Sequence, residues 1–257
     1  MIALSISFFI TAMLYAAVGF GGGSTYSALL VLAETDYRIL PSIALLCNLI
    51  VVIGGTYKFS RAGHINLRRI APWIVTSVPA AWLGGYLDIP EMVFIGLLGV
   101  SLLIVGMRML WFKREIDDTH NIEQETINKH RFLPPIIGVM LGLLSGLVGI
   151  GGGVFLAPIL YLMHWDSARK IAATCSIFIL VNSLAGLIGQ IMKLSNMALV
   201  SDISAYWLLF PAVLIGGQIG SSMGAKHLNP NTLRVMTALL ILYVAVRLIW
   251  RWWEMSV

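Results

Sequence analysis

Val18-Gly19-Phe20-Gly21-Gly22-Gly23 recurs as Val148-Gly149-Ile150-Gly151-Gly152-Gly153, each copy set inside a long apolar run, at roughly residues 2–33 and 132–164. Drawn out as one straight helix, a run of about 32 residues would measure roughly 48 Å against a hydrocarbon core of ~30 Å. Two full spans would need about 40 residues. A U-shaped re-entrant hairpin that turns at the glycines fits the length; a tilted, broken single span is the alternative. Glycine has no side chain and tolerates positive φ, so the chain can reverse there. Three glycines in succession cost a continuous helix ~1 kcal/mol each relative to alanine, which favours a break over a packing seam. The more widely spaced sets, Gly138, Gly142 and Gly146, then Gly216, Gly220 and Gly224, recur every fourth residue and are expected to let helices approach closely.

The rest of the chain repeats on the same plan. Ile43-Ala44 and Cys47-Asn48 align with Ile171-Ala172 and Cys175-Ser176, and Trp73, Pro79 and Gly84-Gly85 correspond to Trp207, Pro211 and Gly216-Gly217. Three further apolar segments follow each triplet, at about 39–57, 70–87 and 91–112, then 170–192, 203–223 and 232–253. Of the 257 residues 58% are hydrophobic and 11% charged, where a soluble domain carries roughly 25% charged residues. The expected fold is therefore an all-α polytopic membrane protein. It has two homologous repeats, residues 1–112 and 132–257, each a glycine-broken re-entrant segment plus three transmembrane helices. The only long polar stretch, KREIDDTHNIEQETINKHR at 113–131, is read as a cytoplasmic linker between the halves. The first apolar run has no basic n-region and no small-residue cleavage site before a soluble body, so it is expected to be retained.

A hairpin plus three spans is an odd number of crossings and inverts the second half, whereas four plain spans would leave the halves parallel. Lys58, Arg61, Arg68 and Arg69 in one loop, and Lys113, Arg114, Lys129 and Arg131 in the linker, mark cytoplasmic ends, while the loop between them has only Asp88 and Glu91. The second-half counterpart of the basic loop, Lys193 to Asp202, carries a single lysine, as inversion requires. Arg247 and Arg251 near the C-terminus pull the other way.

Backbone groups freed at a break cannot face lipid, so they must face protein or a water-filled cavity. A helix starting just after a triplet, at Ser24-Thr25 or Val154-Phe155, points its first amides and the positive end of its dipole at the break. Two such starts meeting near the midplane would make an anion site. Among the sparse polar residues within spans, Asn48, Thr174 and Ser176 stand out because their repeat positions coincide. The candidate substrate-binding set is Gly21, Gly22, Gly23, Ser24, Thr25, Asn48, Gly151, Gly152, Gly153, Thr174, Cys175 and Ser176. No Asp, Glu, Lys or Arg sits securely at the centre of a span, so no buried proton relay is visible. Two cysteines and five scattered histidines have no metal-ligand spacing, and neither a hydrolase, a metalloprotease nor a nucleotide-binding motif is present. The expectation is a non-enzyme without cofactor or metal. The net charge of +5 is explained by topology and not by a nucleic-acid partner.

At the triplets the sequence resembles the TauE/SafE family of membrane transporters, also called the sulfite exporter or DUF81 family. Its G-x-G-G-G-x-x-x-x-P-x-L pattern is met by Gly149-Ile150-Gly151-Gly152-Gly153 with Pro158 and Leu160; in the first half Gly19-Phe20-Gly21-Gly22-Gly23 is kept, Leu30 follows, and Ala28 replaces the proline. The resemblance implies a multi-pass protein of the bacterial inner membrane that carries small sulfur-containing anions, such as sulfite, thiosulfate or an organosulfonate, usually outward by alternating access. An anion channel built on the same site and a non-transporting membrane partner subunit are the alternatives. The expected partners are the anion and the lipid bilayer, with a homodimer as a candidate assembly.

Overall fold

A computed structural model describes residues 1–18, 21–111, 133–163, 165–223 and 230–256. The linker expected at 113–131 lies outside the described residues. Among these the chain is helical throughout, with no strand. The helices are α1 (Ile2–Val18), α2 (Gly23–Leu32), α3 (Leu40–Arg61), α4 (Leu67–Tyr86), α5 (Glu91–Trp111), α6 (Leu133–Val148), α7 (Gly153–Leu162), α8 (Ala168–Asn196), α9 (Leu209–Met223) and α10 (Pro230–Ser256), with a 3₁₀ helix at Val200–Tyr206 before α9. Both long apolar runs are cut at their glycines: the first becomes α1 and α2, the second α6 and α7.

Each cut turns the chain back on itself. Tyr26, in the first turn of α2, stacks on Phe8 of α1 at 4.8 Å between ring centroids, and Thr25 Oγ1 lies 2.9 Å from the Tyr15 hydroxyl. A straight continuation of α1 would leave residues 8 and 26 about 27 Å apart. In the second cut Gly149, Gly151 and Gly152 take φ of +81°, +85° and +72°, the left-handed region that favours glycine. Among the described residues three helices are long and apolar enough to cross a membrane, Leu40–Arg61, Glu91–Arg108 and Lys170–Asn196. Val200–Tyr206 with Leu209–Ser221, bent by 56°, makes a fourth if counted as one span.

The two halves interlock. α4 of the first half packs along α6 of the second, and α1 of the first along α9 of the second. The packing depends on missing side chains. A β-carbon on Gly142 would overlap the Ser77 carbonyl and one on Gly146 the Ala81 carbonyl, while Gly216 and Gly220 press in the same way on the carbonyls of Phe9 and Met13. Rising numbers meet rising numbers in both pairs, so each pair is parallel. α3 and α8 cross antiparallel, with residue 48 opposite 183 and residue 56 opposite 176. α5 and α10 are also antiparallel, with Gly96 against Trp252 and Gly106 against Leu242. Gly146→Val is therefore expected to drive α4 and α6 apart and to remove most monodisperse protein on size-exclusion chromatography. Gly54→Ala is the control: its β-carbon would meet nothing closer than Gln218 Nε2 at 3.7 Å, and a helix gains up to ~1 kcal/mol from that exchange. Equal yields from the two variants would refute the close-packing reading.

The outward faces carry large apolar side chains, among them Val100 and Ile104 of α5, Leu184 and Ile188 of α8, and Leu214 and Ile215 of α9. So much exposed apolar surface would aggregate in water and is the expected coat in lipid; the chain is an integral membrane protein. Charges gather at the ends. Lys58 at the end of α3 donates to the Ser221 carbonyl near the end of α9, and Arg69 at the start of α4 pairs with Asp166 just before α8 at 2.7 Å. Arg247 and Arg251 lie at the opposite end, 4.0 Å from Glu34 and 2.8 Å from Glu91. These carboxylates offset the two arginines that ran against the charge bias of the sequence.

Candidate functional site at the meeting of the glycine breaks

Asn48 sits midway along α3, 1% exposed, and both breaks close on it. A β-carbon added to Gly21 would overlap its amide oxygen, and one added to Gly151 its amide nitrogen. A β-carbon on Gly23 would overlap the carbonyl of Ile150, so the breaks also touch each other. Gly22 lies against Thr11 and the ring of Tyr26, Gly152 near Ser145 and Phe178, and Gly153 against Ile179 with the Cys175 carbonyl beyond. Gly21, Gly22, Gly23, Ser24, Thr25, Asn48, Gly151, Gly152, Gly153, Thr174, Cys175 and Ser176 are all buried. The described conformation is closed around its centre.

The polar groups at this centre are incompletely paired. Asn48 Nδ2 donates to Ser183 Oγ at 3.0 Å, whereas Asn48 Oδ1 has no partner. Ser24 Oγ and Ser27 Oγ on α2, Ser42 Oγ on α3 and Ser145 Oγ on α6 are likewise buried and unpartnered. At the second break Gly153 N donates to the Gly151 carbonyl at 2.9 Å and Phe155 N to the Gly152 carbonyl at 3.1 Å. A buried polar group without a partner costs about 1–3 kcal/mol, so these unpartnered groups leave unused capacity for a polar ligand.

Thr174 and Ser176 lie farther along α8, toward the Lys58 end. Thr174 Oγ1 donates to the Lys170 carbonyl at 2.8 Å; Ser176 Oγ donates to the Ala173 carbonyl at 3.1 Å and accepts from Thr56 Oγ1 at 3.2 Å. Asn48 with Ser183 and Ser176 with Thr56 are thus two polar bridges across one helix crossing, the repeat-matched residues 48 and 176 lying on opposite helices. Repeat matching does not single out Ser183, whose counterpart is Gly55, and it pairs Ser145 with Tyr15, a residue of different shape. Their signal in the sequence is polarity within a span.

The family described as Sulfite exporter TauE/SafE matches residues 4–248. A probable membrane transporter protein of Sinorhizobium fredii is 34% identical over 97% of this chain and 98% of its own length. One of Methanocaldococcus jannaschii is 26% identical over 89% of this chain and 87% of its own. Sulfite exporter TauE/SafE family protein 1 of Arabidopsis thaliana is 29% identical over 52% of this chain and 31% of the plant protein. No solved structure matches the chain. A family match over nearly the full length, a relative sharing a third of its residues from end to end, and two glycine breaks inside an apolar helical bundle place this chain in the sulfite exporter TauE/SafE family of membrane transporters.

Proposed function

We propose that the chain is a secondary carrier that moves a small sulfur-containing anion, sulfite, thiosulfate or an organosulfonate, outward across the bacterial inner membrane by alternating access. The observation that carries this reading is the convergence of both glycine breaks on one buried asparagine amide. The unpartnered hydroxyls of Ser24 and Ser27 on α2 are donors of the kind an anion needs, beside the positive end of the helix dipole. The Ser183 hydroxyl can donate as well as accept, so a half-turn of the Asn48 amide keeps that bond and turns its N–H groups toward the break. Direction follows from the membrane potential: with the inside negative, each exported negative charge gains ~2.3 kcal/mol per 100 mV, so outward movement needs no proton site.

The halves are read as inverted repeats. Support comes from the antiparallel α3–α8 and α5–α10 pairs and from the reciprocal α4–α6 and α1–α9 packing, which suit a two-fold axis lying across the helices. Rocking of one half against the other about the α3–α8 crossing would then open the closed centre to either side. Proteoliposomes loaded with radiolabelled sulfite, thiosulfate or sulfoacetate test the function. Saturable flux accelerated by the same anion on the opposite side is expected. Conductance without such exchange would replace the carrier by a channel, and absence of flux with all three anions would overturn the reading.

A further inference from the structure

At the basic end of the bundle lies a cleft of about 470 Å³ between the α3–α4 connection and the start of α8. His64, Asn66, Arg68, Arg69, Asp166 and Lys170 line it. Three cations face a single carboxylate, and that carboxylate is the most shielded of the linked groups: the Asp166 side chain is 15% exposed, against 31% for Arg69 and 50% for Lys170. Arg69 Nη1 donates to Asp166 Oδ2 at 2.7 Å, Arg69 Nη2 donates to the Trp165 carbonyl at 3.0 Å, and the guanidinium lies 4.6 Å from the centre of the Trp165 ring. Lys170 Nζ reaches Asp166 Oδ1 at 3.1 Å. Asp166 thus occupies the place between two cations that a small oxyanion would take, and Arg68 has no ion-pair partner among the described residues.

The other end of the molecule lacks this arrangement. Asp36 stands to the first glycine triplet as Asp166 stands to the second, and both carboxylates accept from the backbone just after them, Arg38 N at 2.9 Å and Ser167 N at 2.8 Å. The segment that corresponds to the α3–α4 connection, residues 197–208, has no lysine or arginine. A carboxylate stands at both hairpin mouths, whereas the basic connection that supplies Arg68 and Arg69 is found beside Asp166 and has no basic counterpart in residues 197–208. Positive charge focused in a cleft concentrates anions there.

We propose that this cleft is a loading site for the transported anion, in which the anion replaces the Asp166 carboxylate between Arg69 and Lys170 and so releases the α7–α8 connection from α4. The role in transport rests on the function proposed above; the binding itself does not. Planar, bidentate guanidinium donors suit sulfite and sulfonate oxygens, and an internal carboxylate holds the cations in place while the cleft is empty. Exchange of one acid for another conserves the pairing of the two cations, so neither is left unpaired as the connection is freed.

The test is equilibrium binding of sulfite, thiosulfate and sulfoacetate to the purified protein in detergent, followed by tryptophan fluorescence, with Trp165→Phe identifying the part of the signal that comes from the cleft. At least one anion is expected to give a saturable change that Trp165→Phe removes. Arg69→Gln is expected to weaken it at least tenfold, and Asp166→Asn to strengthen it several-fold by removing the internal competitor. Gly151→Ala, at the central breaks, is expected to leave it unchanged. Loss of affinity in both Arg69→Gln and Asp166→Asn would reduce the cluster to a structural latch and overturn the proposal, as would the absence of a Trp165-dependent change with all three anions. A cleft signal in a protein without vesicle flux would sustain the cleft and refute the transport reading; flux without a cleft signal would do the reverse.

Discussion

Gly151→Ala is expected to abolish anion flux from proteoliposomes while leaving a folded, inserted protein. Two effects combine at this position. The backbone there has φ of +85°, where an L-residue is strained by about 1–3 kcal/mol. The new β-carbon would also overlap the Asn48 amide, the group on which both breaks close. The strain alone is a fraction of the ~5–15 kcal/mol that holds a typical fold, so a lower thermal midpoint is expected, not an unfolded protein. The displacement of Asn48 falls on the proposed substrate site, where a misplacement of about 1 Å costs on the order of a hundredfold in rate. Gly54→Ala is the control: Gly54 lies within α3 and its β-carbon would meet nothing closer than Gln218 Nε2 at 3.7 Å, so it is expected to keep both stability and flux. Size-exclusion profile, thermal midpoint and flux measured on both variants decide the matter. Gly151→Ala with wild-type flux would remove the glycine breaks from the transport site.

The architecture was largely legible because it rests on sequence periodicities and on glycine. Segment lengths and the doubled Gly-Gly-Gly marked where helices must stop, and α2 and α7 start at Gly23 and Gly153, one residue before the expected Ser24 and Val154. The fourth-residue spacing of Gly138, Gly142 and Gly146 pointed to a close seam; the overlaps with Trp73, Ser77 and Ala81 give its partner, α4. The partner itself was hidden. Nothing in a linear pattern tells that the first helix of one half packs on the fourth element of the other, since that choice is made by tertiary fit. The bend at the start of the 203–223 segment was hidden too, because a 3₁₀ turn and a helix have similar apolar content there.

Within the candidate site, repeat matching paired Asn48 with Ser176 but could not show that they lie on opposite helices of an antiparallel crossing. Asn48 meets Ser183, and Ser176 meets Thr56. Matching by sequence finds equivalent residues, whereas a ligand is held by adjacent ones. The polar start of the first break, Ser24-Thr25-Tyr26-Ser27, faces an apolar counterpart, Val154-Phe155-Leu156-Ala157. The two breaks therefore differ in the turn that follows the glycines: the unpartnered Ser24 and Ser27 hydroxyls follow the first, apolar side chains the second.

Asn48→Asp is expected to cut anion flux on the order of a thousandfold near neutral pH. The replacement has almost the same shape and can still accept from the Ser183 hydroxyl, so packing at the α3–α8 crossing is preserved. Its charge is the variable. Two like charges 4 Å apart repel by ~4 kcal/mol at an effective dielectric of 20, and each ~1.4 kcal/mol is a factor of ten. A carboxylate takes up a proton as the pH falls, so lowering the pH removes the charge and restores a group that can donate one hydrogen bond. Flux of the variant relative to wild type, compared at each pH, is therefore expected to recover as pH falls and to vanish as pH rises. Asn48→Leu supplies the contrast, since loss of the amide without a charge gives a defect that does not vary with pH. An Asn48→Asp protein that transports anions as well as wild type at high pH would show that no anion passes close to Asn48, and the convergence of the two glycine breaks would then be a packing device alone.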